Sequence, residues 1–251
     1  MRVRVWGVVL GCLAFAGSLF AQQTDTFSRK NTWTVFAEYS NTSSHILMGA
    51  ARQRKIVDLG GAYTRRVVRF WGSDLSYHVE VRPVMFESDP LEISNYTYTD
   101  TVPGSNKSIS FSSVGATLGP CIPSSGSISF PPSNGQPGET ETYHNTCGRQ
   151  WTFAQAFSPL GFKYSMRTRH PAQPFIVGTL GYMYSSRPIP VYNAEGFNFI
   201  FNFGAGVEVY RSKTRSVSLE CRYNHFSNRD TAPANPGVDN VTFKASYSFG
   251  H

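Results

Sequence analysis

The clearest pattern along the chain is an alternation of apolar and polar positions with a period of two. Apolar residues occupy every odd position from 197 to 209, opposite asparagine, glycine and glutamate. The same alternation appears in two earlier segments, with apolar sets Trp33, Val35, Ala37 and Tyr39, and Leu75, Tyr77, Val79, Val81 and Met85. A period of two is typical of β-strands with two different faces. It predicts an all-β protein.

Less regular strand candidates complete a set of eight. They cover about 55–68, 150–166 and 173–185, and the Ser158-Pro159 pair predicts a bulge that blurs the alternation. Two further strands end the chain, with apolar positions 217, 219, 221 and 223, and then 241, 243, 245, 247 and 249.

The connections between these strands alternate in length. Those near 70–74, 167–172 and 211–214 are short and the others are longer, the longest running from Ser88 to Gly148. Short turns on one side and long loops on the other are typical of bacterial outer-membrane barrels. We therefore predict an eight-stranded antiparallel transmembrane β-barrel whose long loop, 88–148, is extracellular.

The first 21 residues have the pattern of a signal peptide. Arg2 and Arg4 precede an apolar stretch that ends at Ala21, a small residue suited to cleavage. We therefore predict a signal peptide at 1–21 and one barrel domain at 22–251. Export and a barrel together predict the bacterial outer membrane as the location.

Composition and charge limit the kinds of partner that the protein can bind. Only 16% of the residues are charged, and losing Arg2 and Arg4 with the leader lowers the formal net charge from +7 to +5. Scattered basic residues without a dense run argue against a nucleic-acid partner and suit a phosphate-bearing membrane surface. A mean hydropathy of −0.27 argues against a bundle of membrane helices. Since the sequence has no metal-ligand cluster and no phosphate or dinucleotide motif, we expect no cofactor and no metal.

The cysteines agree with an oxidising compartment. Cys121 and Cys147 both lie in the long loop, and we predict a disulfide between them. Cys221 lies within a strand and is interpreted as a small apolar residue.

The residues on the polar faces of the strands predict a charged lumen. Closure of the barrel would gather the ionisable residues that lie opposite the apolar faces: Glu38, His78, Glu80, Arg82, Glu208, Glu220, Arg222 and Lys244. An eight-stranded barrel is too narrow for a pore, so we interpret these residues as packed structural ion pairs.

Three polar residues interrupt the apolar parity at one end of the last two strands. His225 and Ser227 continue the apolar face of the seventh strand, and Asp239 lies on that of the eighth. Charged groups are tolerated on a lipid face only near the bilayer edge. An imidazole that activates a serine, oriented by a carboxylate, is the arrangement of nucleophilic ester hydrolysis. Ordinary polar residues at a membrane interface would give the same pattern without any catalysis.

The segments around these residues resemble a known family. His225-Phe226-Ser227-Asn228 and Asn235-Pro236-Gly237-Val238-Asp239 are similar to the two motifs of the lipid A deacylases of Gram-negative outer membranes, also called acyloxyacyl hydrolase-like. The resemblance implies an esterase acting on lipid A or lipopolysaccharide of the outer leaflet.

The resemblance also implies a role for each residue of the two segments. His225 is the base, Ser227 the nucleophile and Asp239 the orienting acid, while Asn228 or Asn235 contributes to the oxyanion hole. The family has glutamate where this chain has the shorter Asp239. On sequence grounds alone, Asp239→Glu is expected to keep or raise activity.

Two other interpretations remain open at this point. A non-catalytic outer-membrane barrel with an adhesive or structural loop would have the same strands and the same loop. A soluble eight-stranded ligand carrier would instead place its apolar face inside. The sequence also leaves open whether the barrel is a monomer or a homodimer.

Overall fold

The computed structural model describes residues 27–101, 108–133 and 137–251. The predicted signal peptide at 1–21 lies outside these ranges. Within them, no helix is long and apolar enough to cross a bilayer.

Ten antiparallel strands form within the described residues. They are β1 (Asn31–Ser40), β2 (Lys55–Phe70), β3 (Ser73–Thr101), β4 (Ser108–Leu118), β5 (Ser124–Phe130), β6 (Gly138–Ser165), β7 (Ala172–Ser185), β8 (Phe197–Ser212), β9 (Arg215–Ser227) and β10 (Val238–Gly250).

Eight of these strands pair into a closed ring. The hydrogen-bonded order is β4-β3-β2-β1-β10-β9-β8-β7-β6-β5, and an additional β3–β6 pairing joins the two sides. The ring therefore leaves out only β4 and β5, which pair with the outer parts of β3 and β6. This confirms the predicted outer-membrane-type β-barrel and the positions of its eight strands.

The outer wall of the ring is apolar. Side chains such as Leu219 and Phe243 are 71% and 63% exposed, and they alternate with buried polar neighbours along the same strands. An exposed apolar surface of this extent is typical of a wall that contacts lipid. The predicted apolar and polar faces are confirmed for β1, β8, β9 and β10.

Irregular pairing changes the parity of β3. The register between β3 and β6 shifts between Arg82 and Met85, and again between Tyr77 and Glu80. Between Tyr77 and Glu80 the extra residue lies on β6, so the faces of β3 do not change there. Between Arg82 and Met85 the extra residue lies on β3, so the side chains that follow move to the opposite face and Met85 is buried inside the ring. The prediction of Met85 on the outer face was wrong for this reason. The bulge predicted at Ser158-Pro159 is confirmed by the shift beside Phe157 in the β6–β7 pairing.

A compact ion-pair network fills the middle of the lumen. Glu80 lies at its centre, 2.8 Å from an Arg82 nitrogen and 2.9 Å from an Arg222 nitrogen, with Lys244 and His78 bonded to the same carboxylate. All these side chains are buried. The gathering of the predicted lumen charges is confirmed, and their mutual contacts support a structural role.

An apolar cluster closes the end of the lumen that lies toward β4 and β5. Ile56, Met85, Met183, Ile200 and Phe226 are fully buried there. Since Phe226 belongs to β9, this cluster packs directly behind the strand that carries His225 and Ser227.

The segment predicted as a long loop is largely β-structure. We call the outer parts of β3 and β6, together with β4 and β5, the extension. Serine and threonine are frequent on both of its faces, and most of its side chains are exposed or half-exposed. With neither face packed into a core, the period-two signal is weak, and for this reason the sequence indicated a loop. The disulfide between Cys121 and Cys147 is confirmed, with alpha carbons 5.6 Å apart.

Candidate active site

The end of β9 and the start of β10 bring His225 and Asp239 into contact. The two residues are direct partners in the antiparallel register, and His225 Nδ1 lies 2.7 Å from Asp239 Oδ1. Directly opposed residues in an antiparallel pair have beta carbons only about 5 Å apart, so a short side chain can bridge them. The aspartate of this chain, although one methylene shorter than glutamate, therefore reaches the imidazole.

Asp239 is enclosed by the loop between β1 and β2. Its parity is that of the outer face, as predicted, yet it is 0% exposed. Three successive backbone N–H groups of this loop, those of Ile46, Leu47 and Met48, donate to Oδ2 at 3.2, 2.7 and 2.9 Å. Asp239 therefore has the outward parity that the sequence predicted, but the loop shields its carboxylate from lipid.

Tyr223 is a further member of the site that the sequence did not single out. Its hydroxyl donates to Asp239 Oδ1 at 2.8 Å, and its ring lies nearly parallel to that of His225, with centroids 6.5 Å apart. Its position two residues before His225 on the same face was visible in the sequence. Its contact with Asp239 depends on the β9–β10 register.

Two glycines allow the loops to approach the site closely. A beta carbon at Gly49 would lie 2.5 Å from the backbone nitrogen of Asp239, closer than atoms can pack. Gly237 has φ +56°, and a beta carbon there would lie 3.1 Å from His225 Cε1. Only a residue without a side chain fits beside Asp239, and Gly237 also needs the left-handed backbone that glycine adopts readily.

Ser227 lies two residues beyond His225 on the same outward face of β9. It is half-buried, and its hydroxyl makes no hydrogen bond to any other residue that the structure describes. Because Asp239 occupies Nδ1 of His225, the neutral ring carries its proton there and keeps a lone pair on Nε2. Catalytic hydrogen bonds are often long before substrate binds, so this arrangement suits a serine that His225 can activate.

Asn228 and Asn235 shape the loop between β9 and β10. The Asn228 side-chain amide donates to the Ala234 carbonyl at 2.8 Å, and the Asn235 amide donates to Asp230 at 3.1 Å. Asn235 Oδ1 also accepts the Asn228 backbone N–H. Each side-chain amide has a second hydrogen, so a role for either residue in an oxyanion hole stays a prediction.

The chemistry available at this rim is that of an oriented base beside a hydroxyl. Across the described ranges, no group of three or more histidine, cysteine, aspartate or glutamate side chains is arranged to hold a metal ion. The donors that saturate Asp239 are backbone amides, a phenol and an imidazole.

The sequence matches one protein family. The model of the lipid A 3-O-deacylase (PagL) family matches residues 128–248, just under half of the chain, and this range contains His225, Ser227 and Asp239. None of the curated proteins compared with the chain matches it significantly.

Solved structures that align with most of this chain include the two that follow. The outer membrane enzyme PagL has 12% identity and a TM-score of 0.49, over 85% of this chain and 97% of that one. Neisserial surface protein A has 10% identity and a TM-score of 0.38, over 88% and 97%.

The family match and the exposed apolar wall support the bacterial outer membrane as the location of the chain, as the sequence predicted. The match agrees with the resemblance that the two sequence motifs indicated. Over residues 128–248, which carry the candidate site, the chain is similar to the lipid A 3-O-deacylases.

Proposed function

We propose that the protein is an outer-membrane esterase that removes an ester-linked acyl chain from lipid A. The observation that carries the proposal is the 2.7 Å contact between His225 Nδ1 and Asp239 Oδ1, on the outward face of the rim that also carries Ser227. The matching family is described as acting at the 3-O position, and we propose the same acyl chain here.

Acyl transfer to the enzyme is the first half of the reaction. Ser227 Oγ attacks the ester carbonyl carbon while His225 Nε2 takes the hydroxyl proton. Asp239 holds the imidazole in the required tautomer and stabilises the imidazolium that forms. The tetrahedral intermediate collapses, the bond to the sugar oxygen breaks, and His225 returns the proton to that oxygen. Deacylated lipid A leaves, and the acyl chain remains as an ester on Ser227.

Hydrolysis of this ester is the second half. A water molecule attacks the acyl carbonyl, and His225 takes the water proton. When the second tetrahedral intermediate collapses, the proton passes from His225 to Ser227 Oγ, and the free fatty acid is released. Atoms and charges balance over the cycle without a cofactor.

The position of the site suits a membrane substrate. His225 and Ser227 share the outward face of β9 with the exposed apolar residues Val217 and Leu219. An acyl ester of the outer leaflet can therefore reach Ser227 along this wall without leaving the membrane.

A non-catalytic barrel is the alternative that the sequence left open. The extension, with its two outer strands unpaired on one side, would serve such a protein equally well. That alternative gives no reason for the enclosed Asp239 or its contact with His225, so the enzyme is the better conclusion.

The direct test is mass spectrometry of lipid A from cells that express the protein. We expect lipid A to lose the mass of one hydroxyacyl chain with the intact protein and to keep it with Ser227→Ala. Equal loss with both would overturn the proposed function. Heat-modifiable gel mobility of both variants verifies that each barrel is folded.

A further inference from the structure

We propose that Ile46, Leu47 and Met48 serve the site twice: their backbone amides position Asp239, and their side chains contact the acyl chains of the lipid substrate. This inference rests on the proposed function and adds a contact surface and a positioning element to it. We call these three residues the clamp.

The backbone of the clamp forms a binding nest for one carboxylate oxygen. Its three consecutive N–H groups converge on Asp239 Oδ2. Successive amides that point at one anion form a concave site of the kind that proteins use for phosphates and carboxylates. Because the clamp occupies Oδ2, Asp239 has Oδ1 left for His225 and Tyr223. The acid therefore depends on this loop for its orientation.

The loop around the clamp is fastened on both sides. Before it, the Ser44 N–H donates to the Asp239 carbonyl at 3.2 Å, and after it the Ala51 N–H donates to the Gly237 carbonyl at 3.0 Å. Within it, His45 Nδ1 lies 2.8 Å from the Gly49 carbonyl. These bonds hold the clamp against the start of β10, so its side chains have a defined direction.

The side chains of the clamp are apolar and exposed. Ile46, Leu47 and Met48 are 38%, 68% and 57% exposed. Connecting loops are normally polar, and three successive large apolar side chains on an exposed loop indicate a binding surface.

The occupant that fits this surface is a lipid acyl chain. The clamp covers Asp239, which lies in line with the exposed apolar residues Val241 and Phe243 on the outer wall of β10. The apolar surface of the clamp is therefore continuous with the wall that contacts the bilayer. Straight acyl chains are the apolar ligands present along that wall, and the ester to be cleaved lies at their head.

One arm of the test concerns the side chains. In the full-length protein we expect the double variant Leu47→Ser with Met48→Ser to raise KM for purified lipid A in detergent micelles by about tenfold, the order expected for losing a few buried methylene groups. Ile122→Ser is the matched control, since Ile122 is an exposed aliphatic residue of the connection between β4 and β5. A double variant with the same KM as Ile122→Ser would overturn the acyl contact.

The other arm concerns the backbone. Leu47→Pro removes the shortest of the three N–H bonds to Asp239, whereas Leu47→Ala keeps it. We expect Leu47→Pro to have a lower kcat than Leu47→Ala. Its KM should match that of Leu47→Ala, since both variants lose the same side-chain contact and differ only in the N–H that positions Asp239. Equal kcat values for the two variants would overturn the positioning role.

Failure of the inference can be told apart from failure of the proposed function. If Ser227→Ala still hydrolyses lipid A at the wild-type rate, the proposed function is wrong, whatever the clamp variants do. If Ser227→Ala is inactive and the clamp variants behave like their controls, only the clamp inference is wrong. A Leu47→Pro chain without heat-modifiable mobility is replaced by Met48→Pro against Met48→Ala, which makes the same comparison at the neighbouring N–H.

Discussion

The lumen and the rim each contain a carboxylate surrounded by hydrogen-bond donors. In the lumen all of these donors are enclosed, whereas at the rim one of them keeps a nitrogen free for substrate. Glu80 in the lumen binds Arg82, Arg222, Lys244 and His78, and these partners are themselves enclosed. At the rim, His225 binds Asp239 through Nδ1, and its Nε2 makes no hydrogen bond to the residues that the structure describes. A carboxylate whose partners are all enclosed stabilises a fold. A carboxylate with one partner left open can support a reaction.

The sources of the donors differ in the same way. Glu80 is compensated by full positive charges, so the lumen network is held by mutual attraction among buried side chains. Asp239 is held by backbone amides of a loop and by neutral side chains. It therefore keeps its negative charge available to stabilise the imidazolium of His225 during turnover.

The largest effect on activity should come from removing Ser227 or His225 at the rim. We expect Ser227→Ala or His225→Ala to lower lipid A hydrolysis by about 10³-fold or more, because each removes a member of a group that acts as a unit. The barrel should fold normally, since neither side chain belongs to the lumen network. Release of fatty acid from lipid A measures the effect, and Ser112→Ala on exposed β4 is the control.

Removing the central carboxylate of the lumen should lower the stability of the barrel and leave the activity of the folded protein intact. Glu80→Ala leaves several buried cations without their shared partner, and we expect unfolding in guanidinium to become easier by about 3–5 kcal/mol. The folded fraction should still hydrolyse lipid A. Glu141→Ala, a half-exposed carboxylate of the extension, should change stability far less. A folded Glu80→Ala barrel with wild-type stability and no activity would mean that the active site had been assigned to the wrong face.

The extension belongs to neither the lumen network nor the rim site, so changes in it should affect neither the stability of the ring nor the hydrolysis of lipid A. Replacing Cys121 and Cys147 by serine should loosen it by about 3 kcal/mol, the order of the loop-closure entropy that a bridge of this span removes. Proteases added to intact cells should cut the extension faster, with lipid A hydrolysis retained. Cys221→Ser is the control, and non-reducing peptide mapping must find the bridge in the parent protein. Free thiols at Cys121 and Cys147 there would contradict the pairing.

The smallest effect concerns the length of the acid. The contacts revise the expectation that Asp239→Glu keeps or raises activity, since Asp239 is enclosed by the clamp and by Gly49 with no room for another methylene. We now expect Asp239→Glu to lower kcat by about tenfold, a loss of about 1.4 kcal/mol. Pairing it with Asp239→Asn separates the two causes, because the amide keeps the length and loses the charge. Wild-type kcat for Asp239→Glu would show that the loop moves to accept the longer acid.

Much of the ring could be predicted because its two faces meet different surroundings. Lipid on one side and a packed lumen on the other impose a period of two, and this period is visible from 197 to 209 without any tertiary information. The same parity placed Glu80 and Arg222 in the lumen and His225 and Ser227 on the outward face. The extension has no buried face to impose such a period, so its strands were not visible.

The sequence by itself determined the strands, the faces and the residue types of the candidate site, because each depends on local alternation and short spacings. Only the tertiary structure decided the rest. The β9–β10 register set Asp239 directly opposite His225, and the register shift between Arg82 and Met85 turned Met85 into the lumen. A loop almost two hundred residues from Asp239 in the chain covers that acid with three amides. Contacts between distant segments leave no periodic signal, since they depend on how the ring closes and not on neighbouring residues.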